Sequence, residues 1–179
     1  MAKSATLLWL DLEMTGLDPQ KDKIIEVAAI ATDWDFNEIT TFQSGFGYRG
    51  NTVKKLLDSS DFFKKFPKLK DALLTLSQES PPVKTVEKQL VNLVKEYFND
   101  STPVLLAGNS IHVDREFIKV QLPEFEKTLT YRMVDVSAWK EVFAAKYGKE
   151  FKKAETHRAL EDIRESIAEL KYYLQQLKV

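Results

Sequence analysis

The sequence predicts a single α/β domain, residues 1–179, in which helices pack on the faces of one mixed five-stranded β-sheet. Three apolar stretches of strand length come first, and a short turn at residues 33–37 joins the last two as a hairpin. Further along the chain, similar stretches alternate with amphipathic helical patterns. A meander that is followed by alternating strands and helices indicates a mixed sheet with helices on its faces.

The elements are predicted from apolar spacing, in chain order. We expect strands at residues 6–11, 24–32 and 38–43, and no assignment is made for the variable region that follows. The rest is predicted as a helix at 83–98, a strand at 103–107, a helix at 114–121, a strand at 129–134, a helix at 136–147 and a last helix at 156–176.

Asp11 and Glu13 are the most informative residues, because they interrupt the first apolar strand near its end. Side chains two residues apart on a strand point to the same face. Two like charges at the edge of a core cost free energy unless a cation lies between them, and a hard divalent cation is the simplest partner. The alternative is that both acids only begin a solvated turn at Thr15 and Gly16, and this pair alone does not decide between the two.

Two further acids shift the balance towards a metal site. Asp114 follows a second apolar run and opens a predicted helix, where a lone Asp is usually a cap. Asp162 lies inside the last amphipathic helix. Thr156 is the expected N-cap of that helix, which leaves His157 in its first turn. A His at a helix entrance beside a metal-binding Asp suits a proton acceptor better than a ligand.

In this order and spacing, the four acids and His157 resemble the signature of DEDDh-type 3′→5′ exonucleases. The chain is more closely similar to the oligoribonuclease family. The likeness runs nearly end to end, is weakest between about residues 46 and 83, and rests on four segments: Trp9–Leu17, Gly108–Ile111, Tyr131–Ser137 and His157–Ser166.

This resemblance implies a ribonuclease-H-like fold of the DnaQ-like exonuclease type. Asp11, Glu13, Asp114 and Asp162 would hold two divalent cations about 3.5–4 Å apart, which lower the pKa of the attacking water. Oxygen-only ligation favours Mg²⁺ or Mn²⁺. His157 is then the expected general base, because the pKa of histidine lies near neutrality.

The resemblance also implies how short single-stranded RNA is held. Leu17 matches a residue that wedges against a base, while Ser110 and Arg132 match residues that contact the 5′ phosphate. A bidentate Arg clamp on that phosphate limits substrate length and favours dinucleotides. Tyr131 matches a residue that reaches the neighbouring subunit's active site, so the expected assembly is a homodimer.

The chain departs from the family at residues 58–68, where a base-stacking Trp and a following His are absent. Counting back from Ser110 without gaps places Phe63 near the Trp position and Lys68 near the His position. We therefore expect Phe63 to stack on a base and Lys68 to meet a phosphate. The alternative is that the Phe-rich helix face is part of the core.

Five neighbouring polar residues are expected to be structural. His112 is a rival for the general base, but it is interpreted as a surface or loop-packing residue. Glu26 is expected to make a structural hydrogen bond, and Glu161 to be solvated. Asp135, with Ser137, is expected to cap the following helix.

Composition narrows the functional classes. The 179 residues are 44% hydrophobic and 30% charged, which fits one domain with a sizeable core. A formal net charge of −1 argues against a broad basic surface that tracks long nucleic acid. The absence of Cys excludes a disulfide framework and a thiolate zinc site. No apolar run reaches the length of a membrane span, and no secretory signal is recognised, so a cytoplasmic protein is expected, with a mature mitochondrial form as the alternative.

These observations leave three functional hypotheses. The leading one is a metal-dependent exoribonuclease that degrades very short RNA to mononucleotides. The second is a related exonuclease of the tRNA-trimming or DNA-proofreading type, acting on longer RNA or on single-stranded DNA. The third is a nucleic-acid-binding relative without catalysis, which the presence of all five signature residues disfavours.

Overall fold

A single mixed sheet organises the molecule. The computed structural model describes residues 5–99, 101, 103–152 and 159–177. In this part of the chain the strands are β1 (Leu7–Met14), β2 (Ile24–Thr32), β3 (Glu38–Gly45), β4 (Val104–Gly108) and β5 (Leu129–Asp135). They are arranged in the order β3-β2-β1-β4-β5, where β1 pairs antiparallel with β2 and parallel with β4. The remaining pairs are antiparallel for β2–β3 and parallel for β4–β5.

Helices cover both faces of this sheet. The helices of the described residues are α1 (Thr52–Ser59), α2 (Asp61–Lys65), α3 (Pro67–Glu79), α4 (Val83–Tyr97), α5 (Ile111–Gln121), α6 (Pro123–Glu126), α7 (Val136–Tyr147) and α8 (Ala159–Gln175). None of them is long and apolar enough to cross a membrane.

The alternation of side chains along β1 decides which helices face the acids. Leu8 and Leu10 belong to the core that includes residues of α4, α5 and α6. Leu7 and Trp9 belong to the opposite core, which includes residues of α7 and α8. Because alternate residues of a strand share a face, Asp11 and Glu13 lie on the α7–α8 side of the sheet.

Helices α1, α2 and α3 form a separate cluster against β2. Their buried side chains, Val53, Leu57, Phe63 and Leu73, pack around Ile25. Polar residues dominate the outer surface of these helices. These three helices occupy the region in which the sequence predicted no element.

Arg115 of α5 ties this helix to the start of β5. Its buried guanidinium donates hydrogen bonds to the Thr130 carbonyl and, over 2.8 Å, to Oε1 of Glu126. A buried arginine is stable only when its N–H groups are satisfied in this way. The strand that carries Tyr131 and Arg132 is therefore fixed against α5.

The predicted fold class is confirmed, and each predicted strand is observed. Helix α5 begins at Ile111, three residues before the predicted start, so His112 is a helical residue and not a loop residue. The four-residue helix α6 was not predicted.

Candidate active site

Asp11 and Glu13 lie side by side on β1, and Glu13 is paired across the sheet with Glu26 of β2. The pKa of Asp11 is raised from 3.8 to about 8, first by burial and then by the negative charges of Asp114, Glu13, Asp162 and Glu26. Carboxylates raise one another's pKa in this way only when they lie within electrostatic reach. The four predicted metal ligands therefore share one region of the molecule.

Asp114 reaches this region from the first turn of α5. Its Oδ1 accepts a 2.9 Å hydrogen bond from the backbone N–H of Leu12, which lies between the two acids of β1. Burial raises the pKa of Asp114 to about 7, although the hydrogen bonds from backbone N–H groups act in the opposite direction. The side chain is thus fixed in orientation but held in an environment that disfavours its charge.

Asp162 is the fourth acid and lies in the first turn of α8, half-buried. Its backbone carbonyl accepts a 2.9 Å hydrogen bond from the Ser166 hydroxyl. The predicted N-cap Thr156 and the predicted general base His157 lie outside the described residues. Their predicted roles therefore remain predictions.

The donor set fits a hard divalent cation. It consists of carboxylate oxygens from three separate elements, which is the ligand type that Mg²⁺ and Mn²⁺ prefer. The carboxylates that raise the pKa of Asp11 all repel its negative charge, and a cation would reverse the sign of that interaction. Among the residues that the structure describes, no three acidic or His side chains are already grouped closely enough to ligate one ion. Binding would therefore draw the side chains together.

Ser110 lies at the end of β4 in an unusual backbone conformation. Its φ of 49° places it in the left-handed region, which costs free energy for a residue with a Cβ. This turn directs its N–H to two acceptors, Oδ1 of Asp135 at 3.0 Å and Oγ of Ser137 at 2.9 Å. The hydroxyls of Ser110 and Ser137 are 3.1 Å apart, and Ser110 is exposed. The two hydroxyl groups are therefore held close together, and that of Ser110 is on an exposed residue.

Asp135 holds this pair together and has the capping role that its sequence indicated. It is the N-cap of α7 and accepts a 3.0 Å hydrogen bond from the N–H of Ser137.

The Nδ1 atom of His112 lies 3.3 Å from Oδ2 of Asp135, and the His112 side chain is exposed. The structural interpretation of His112 agrees with this contact. Glu26 likewise accepts a 2.6 Å hydrogen bond from Gln43, as expected.

The remaining substrate-binding candidates are accessible. Leu17 is 79% exposed and Tyr131 is 75% exposed, which is unusual for large apolar side chains. The Arg132 guanidinium lies 5.1 Å from the centroid of the Tyr131 ring. Exposure leaves these residues free to contact a ligand, while their predicted roles in binding RNA remain predictions.

Phe63 does not have the exposure that base stacking requires. Its side chain is only 3% exposed, within the cluster of α1, α2 and α3. The prediction that Phe63 stacks on a base is therefore not supported. Phe62 and Phe66 are the exposed rings of this segment, at 53% and 47%, and their centroids are 4.8 Å apart. Lys68 is exposed on α3.

A groove lies between α3 and α8. Its volume is about 490 Å³, and Glu26 and Gln43 line it from the sheet. Leu73 of α3 and Leu160 of α8 contribute to its walls. Glu26, which lines this groove, is paired with Glu13 across β1 and β2, so the groove lies near that acid. The sequence contained no sign of it, since it depends on how α3 is placed.

Comparisons with known proteins identify similar chains. The exonuclease family model RNase_T matches residues 8–170. The oligoribonuclease of Francisella tularensis subsp. holarctica (strain OSU18) is 38% identical over 181 residues, which cover 99% of this chain and 98% of that protein. The mitochondrial oligoribonuclease of Bos taurus is 38% identical over 174 residues, which cover 93% of this chain and 71% of that protein.

Solved structures show the same fold. A complex of Escherichia coli exonuclease I with single-stranded DNA aligns with a TM-score of 0.66 and 15% identity over 97% of this chain. Exonuclease I from Methylocaldum szegediense aligns with a TM-score of 0.66 and 16% identity over 96% of this chain. The chain spans about two fifths of the length of these nucleases, 41% in both cases. The shared part is the DnaQ-like, ribonuclease-H-type domain.

Proposed function

The chain belongs to the RNase_T exonuclease family, with oligoribonucleases among its relatives, and from this membership we propose that it is a 3′→5′ exoribonuclease. Its proposed substrates are very short RNAs, dinucleotides above all, which it hydrolyses to 5′-mononucleotides. The observation that carries the proposal is the geometry of three of the acids: Asp11 and Glu13 share one face of β1, and Asp114 accepts a hydrogen bond from the Leu12 N–H between them.

We propose that these four acids hold two divalent cations, Mg²⁺ or Mn²⁺. When bound, such ions lower the pKa of the attacking water and stabilise charge on the departing 3′ oxygen. The protein contributes the orientation of the ligands: the strand sets Asp11 and Glu13 on one face, and the Leu12 N–H fixes Asp114. His157 is proposed to accept the proton of the water.

The hydroxyl of Ser110 and the guanidinium of Arg132 are proposed to bind the 5′ phosphate. The left-handed turn at Ser110 and its hydrogen bonds to Asp135 and Ser137 preorganise this end of the site. A fixed distance between a phosphate clamp and the carboxylates selects substrates of one length, because a longer chain cannot satisfy both at once. Leu17 is exposed and is proposed to wedge against a base.

The aromatic contact to a base is assigned to Phe62 and Phe66 in place of Phe63. Their exposed rings provide the π-faces that stacking requires, and stacking on one base is worth about 1–3 kcal/mol. Lys68 follows them on α3 and is proposed to contact a phosphate.

We also propose a homodimer. Exposed apolar side chains surround Trp139 of α7 and form what we call the α7–α8 apolar face. Such a patch is typical of an interface between subunits. A second copy seated there would be expected to bring Tyr131 towards its partner's site. The exposed members of this face are Trp34, Val142, Tyr147, Leu174 and Leu177.

The cytoplasm is the proposed location, and mitochondria are the alternative, since the relatives include bacterial and mitochondrial proteins. Neither affects the chemistry proposed for the site.

The proposed function is tested with end-labelled RNAs of two to ten nucleotides and a matched single-stranded DNA series, each incubated with Mn²⁺ or Mg²⁺. We expect the dinucleotide to be hydrolysed fastest and DNA to be a poorer substrate. Equal rates at all lengths would contradict the phosphate clamp and favour a trimming or proofreading exonuclease. Binding without hydrolysis under either metal would favour a non-catalytic relative.

A further inference from the structure

The side chain of Asn109 connects two parts of the proposed active site. Its Nδ2 donates a 2.8 Å hydrogen bond to Oγ of Ser166 and a 3.2 Å hydrogen bond to Oε2 of Glu169, both on α8. Its Oδ1 accepts a 3.2 Å hydrogen bond from Oγ of Ser137, on α7. Both N–H groups of the Asn109 amide and its oxygen therefore form hydrogen bonds, each with a different residue.

The bond to Ser166 leads directly to a metal-ligand candidate. Ser166 and Glu169 are buried, at 6% and 1% exposure, and both bonds are partly shielded from water. The Ser166 hydroxyl in turn donates to the carbonyl of Asp162, one helical turn earlier. Glu169 is further anchored by a 3.0 Å hydrogen bond from the Tyr173 hydroxyl. Asn109 thus fixes the position of α8 next to the residue that carries the carboxylate.

The bond to Ser137 leads to the phosphate-binding candidate. The same Ser137 oxygen accepts the N–H of Ser110 and lies 3.1 Å from the Ser110 hydroxyl. Because Asn109 directly precedes Ser110, a change in its side-chain position affects both the backbone and the partner of that residue. Side chains that orient a ligand from behind typically change metal affinity or activity by about 10–100-fold when they are removed.

We propose that Asn109 is a positioning residue that holds Asp162 and the Ser110–Ser137 pair in one fixed arrangement. This inference rests on the proposed function, because it assigns Asp162 to the cations and Ser110 to the 5′ phosphate. It adds that the two ends of the site are coupled through one amide side chain.

The test compares Asn109→Ala with the wild-type protein in two measurements. Titration calorimetry with Mn²⁺, in the absence of RNA, should give a dissociation constant about 10-fold higher. The ratio of kcat/KM for a 5′-phosphorylated dinucleotide to that for a 5′-hydroxyl dinucleotide should fall towards one. Both measurements are made at a temperature at which circular dichroism shows the variant to be folded.

Glu87→Ala is the matched control for a loss of stability alone. Glu87 is a buried residue of α4 whose Oε1 accepts the N–H groups of Glu124 and Phe125, over 2.7 and 3.4 Å, at the start of α6. This variant should lower the melting temperature and leave both the Mn²⁺ affinity and the phosphate preference unchanged. The proposal would be overturned if Glu87→Ala changed the Mn²⁺ affinity and the phosphate preference as much as Asn109→Ala does. The effect of Asn109→Ala would then be a general loss of stability.

Ser166→Ala separates the two ends and serves if Asn109→Ala does not fold. It removes one acceptor of Asn109 on α8 and leaves the bond to Ser137, so Mn²⁺ affinity should fall while the phosphate preference persists. Unchanged Mn²⁺ affinity in Ser166→Ala, or in folded Asn109→Ala, would overturn the link to Asp162. A full phosphate preference in Asn109→Ala would overturn the link to Ser110. Failure of the proposed function can be told apart from failure of the Asn109 proposal. In the first case, the wild-type protein would bind Mn²⁺ without hydrolysing any RNA.

Discussion

The backbone N–H of Leu12 donates a 2.9 Å hydrogen bond to Oδ1 of Asp114, which joins β1 to α5 between the two acids of the strand. An amide oxygen can accept the same hydrogen bond. Asp114→Asn should therefore keep this connection and lose only the negative charge.

We expect Asp114→Asn to lower the rate of dinucleotide hydrolysis by more than the about 10–100-fold typical of residues that only orient a ligand, since it removes a proposed metal ligand itself. The metal-free melting temperature should not fall, because one like charge leaves the cluster. Glu161→Gln is the matched control, as this exposed acid is adjacent to Asp162 and should retain activity. Wild-type rates in Asp114→Asn would contradict the ligand assignment.

Stability should depend on pH through the same acids. The pKa of Asp11 is raised to about 8 and that of Asp114 to about 7, first by burial. Both therefore bind protons more tightly in the folded than in the unfolded chain. Their contribution to the free energy of unfolding is complete below the unfolded pKa and is lost as pH rises through about 7 to 8.

A divalent cation competes with these protons, so Mn²⁺ should raise the melting temperature more at about pH 8.5 than at about pH 6. Thermal unfolding with and without Mn²⁺ measures this difference. In metal-free protein, Asp11→Asn should flatten the fall in melting temperature over that range. An equal effect of Mn²⁺ at both pH values would contradict binding at this cluster.

Phe62 and Phe63 are neighbours with opposite environments, and their Ala variants should differ accordingly. Phe63→Ala should lower the free energy of unfolding by about 3–5 kcal/mol, because it empties part of the cluster around Ile25. Phe62→Ala should leave stability nearly unchanged and raise KM for the dinucleotide about 10-fold. Urea denaturation and steady-state kinetics provide the two measurements. An unchanged KM in Phe62→Ala would remove this residue from the substrate site.

The proposed homodimer can be tested with two exposed valines. Val142 lies on the α7–α8 apolar face and is 53% exposed, whereas Val120 lies on α5 and is 39% exposed. Val142→Glu should shift the protein from dimer to monomer in analytical ultracentrifugation, because the interface would bury an unpaired charge. Val120→Glu should have no effect on assembly. A dimer that persists in Val142→Glu would place the interface elsewhere.

The sequence was sufficient where side-chain periodicity carries the information. The predicted second strand, residues 24–32, agrees with β2 residue for residue, and the predicted helix at 136–147 agrees with α7. The shared face of Asp11 and Glu13 also followed from strand geometry alone. The periodicity of apolar residues indicates the type and extent of one helix or strand at a time. The bounds of β2 and α7 and the shared face of the two acids are local features of this kind.

Features that depend on tertiary contacts could not be read in this way. Three helices, one of only five residues, occupy the segment without a prediction, and they are held together mainly by the packing of a few side chains. Whether Phe62 or Phe63 points outwards depends on where α2 packs, which residue counting does not reveal. The left-handed turn at Ser110 and the bonds of Asn109 to α8 likewise involve residues distant in the chain.

The turn at Ser110 implies a trade-off for any attempt to make this protein more heat-resistant. Glycine adopts a φ of 49° without strain, so Ser110→Gly relieves local backbone energy but deletes the hydroxyl that faces Ser137. Selection for thermal robustness alone would favour that exchange, and selection for catalytic performance would oppose it. Under the proposed role of Ser110 in phosphate binding, the strain at this position is a cost that the chain carries in favour of activity.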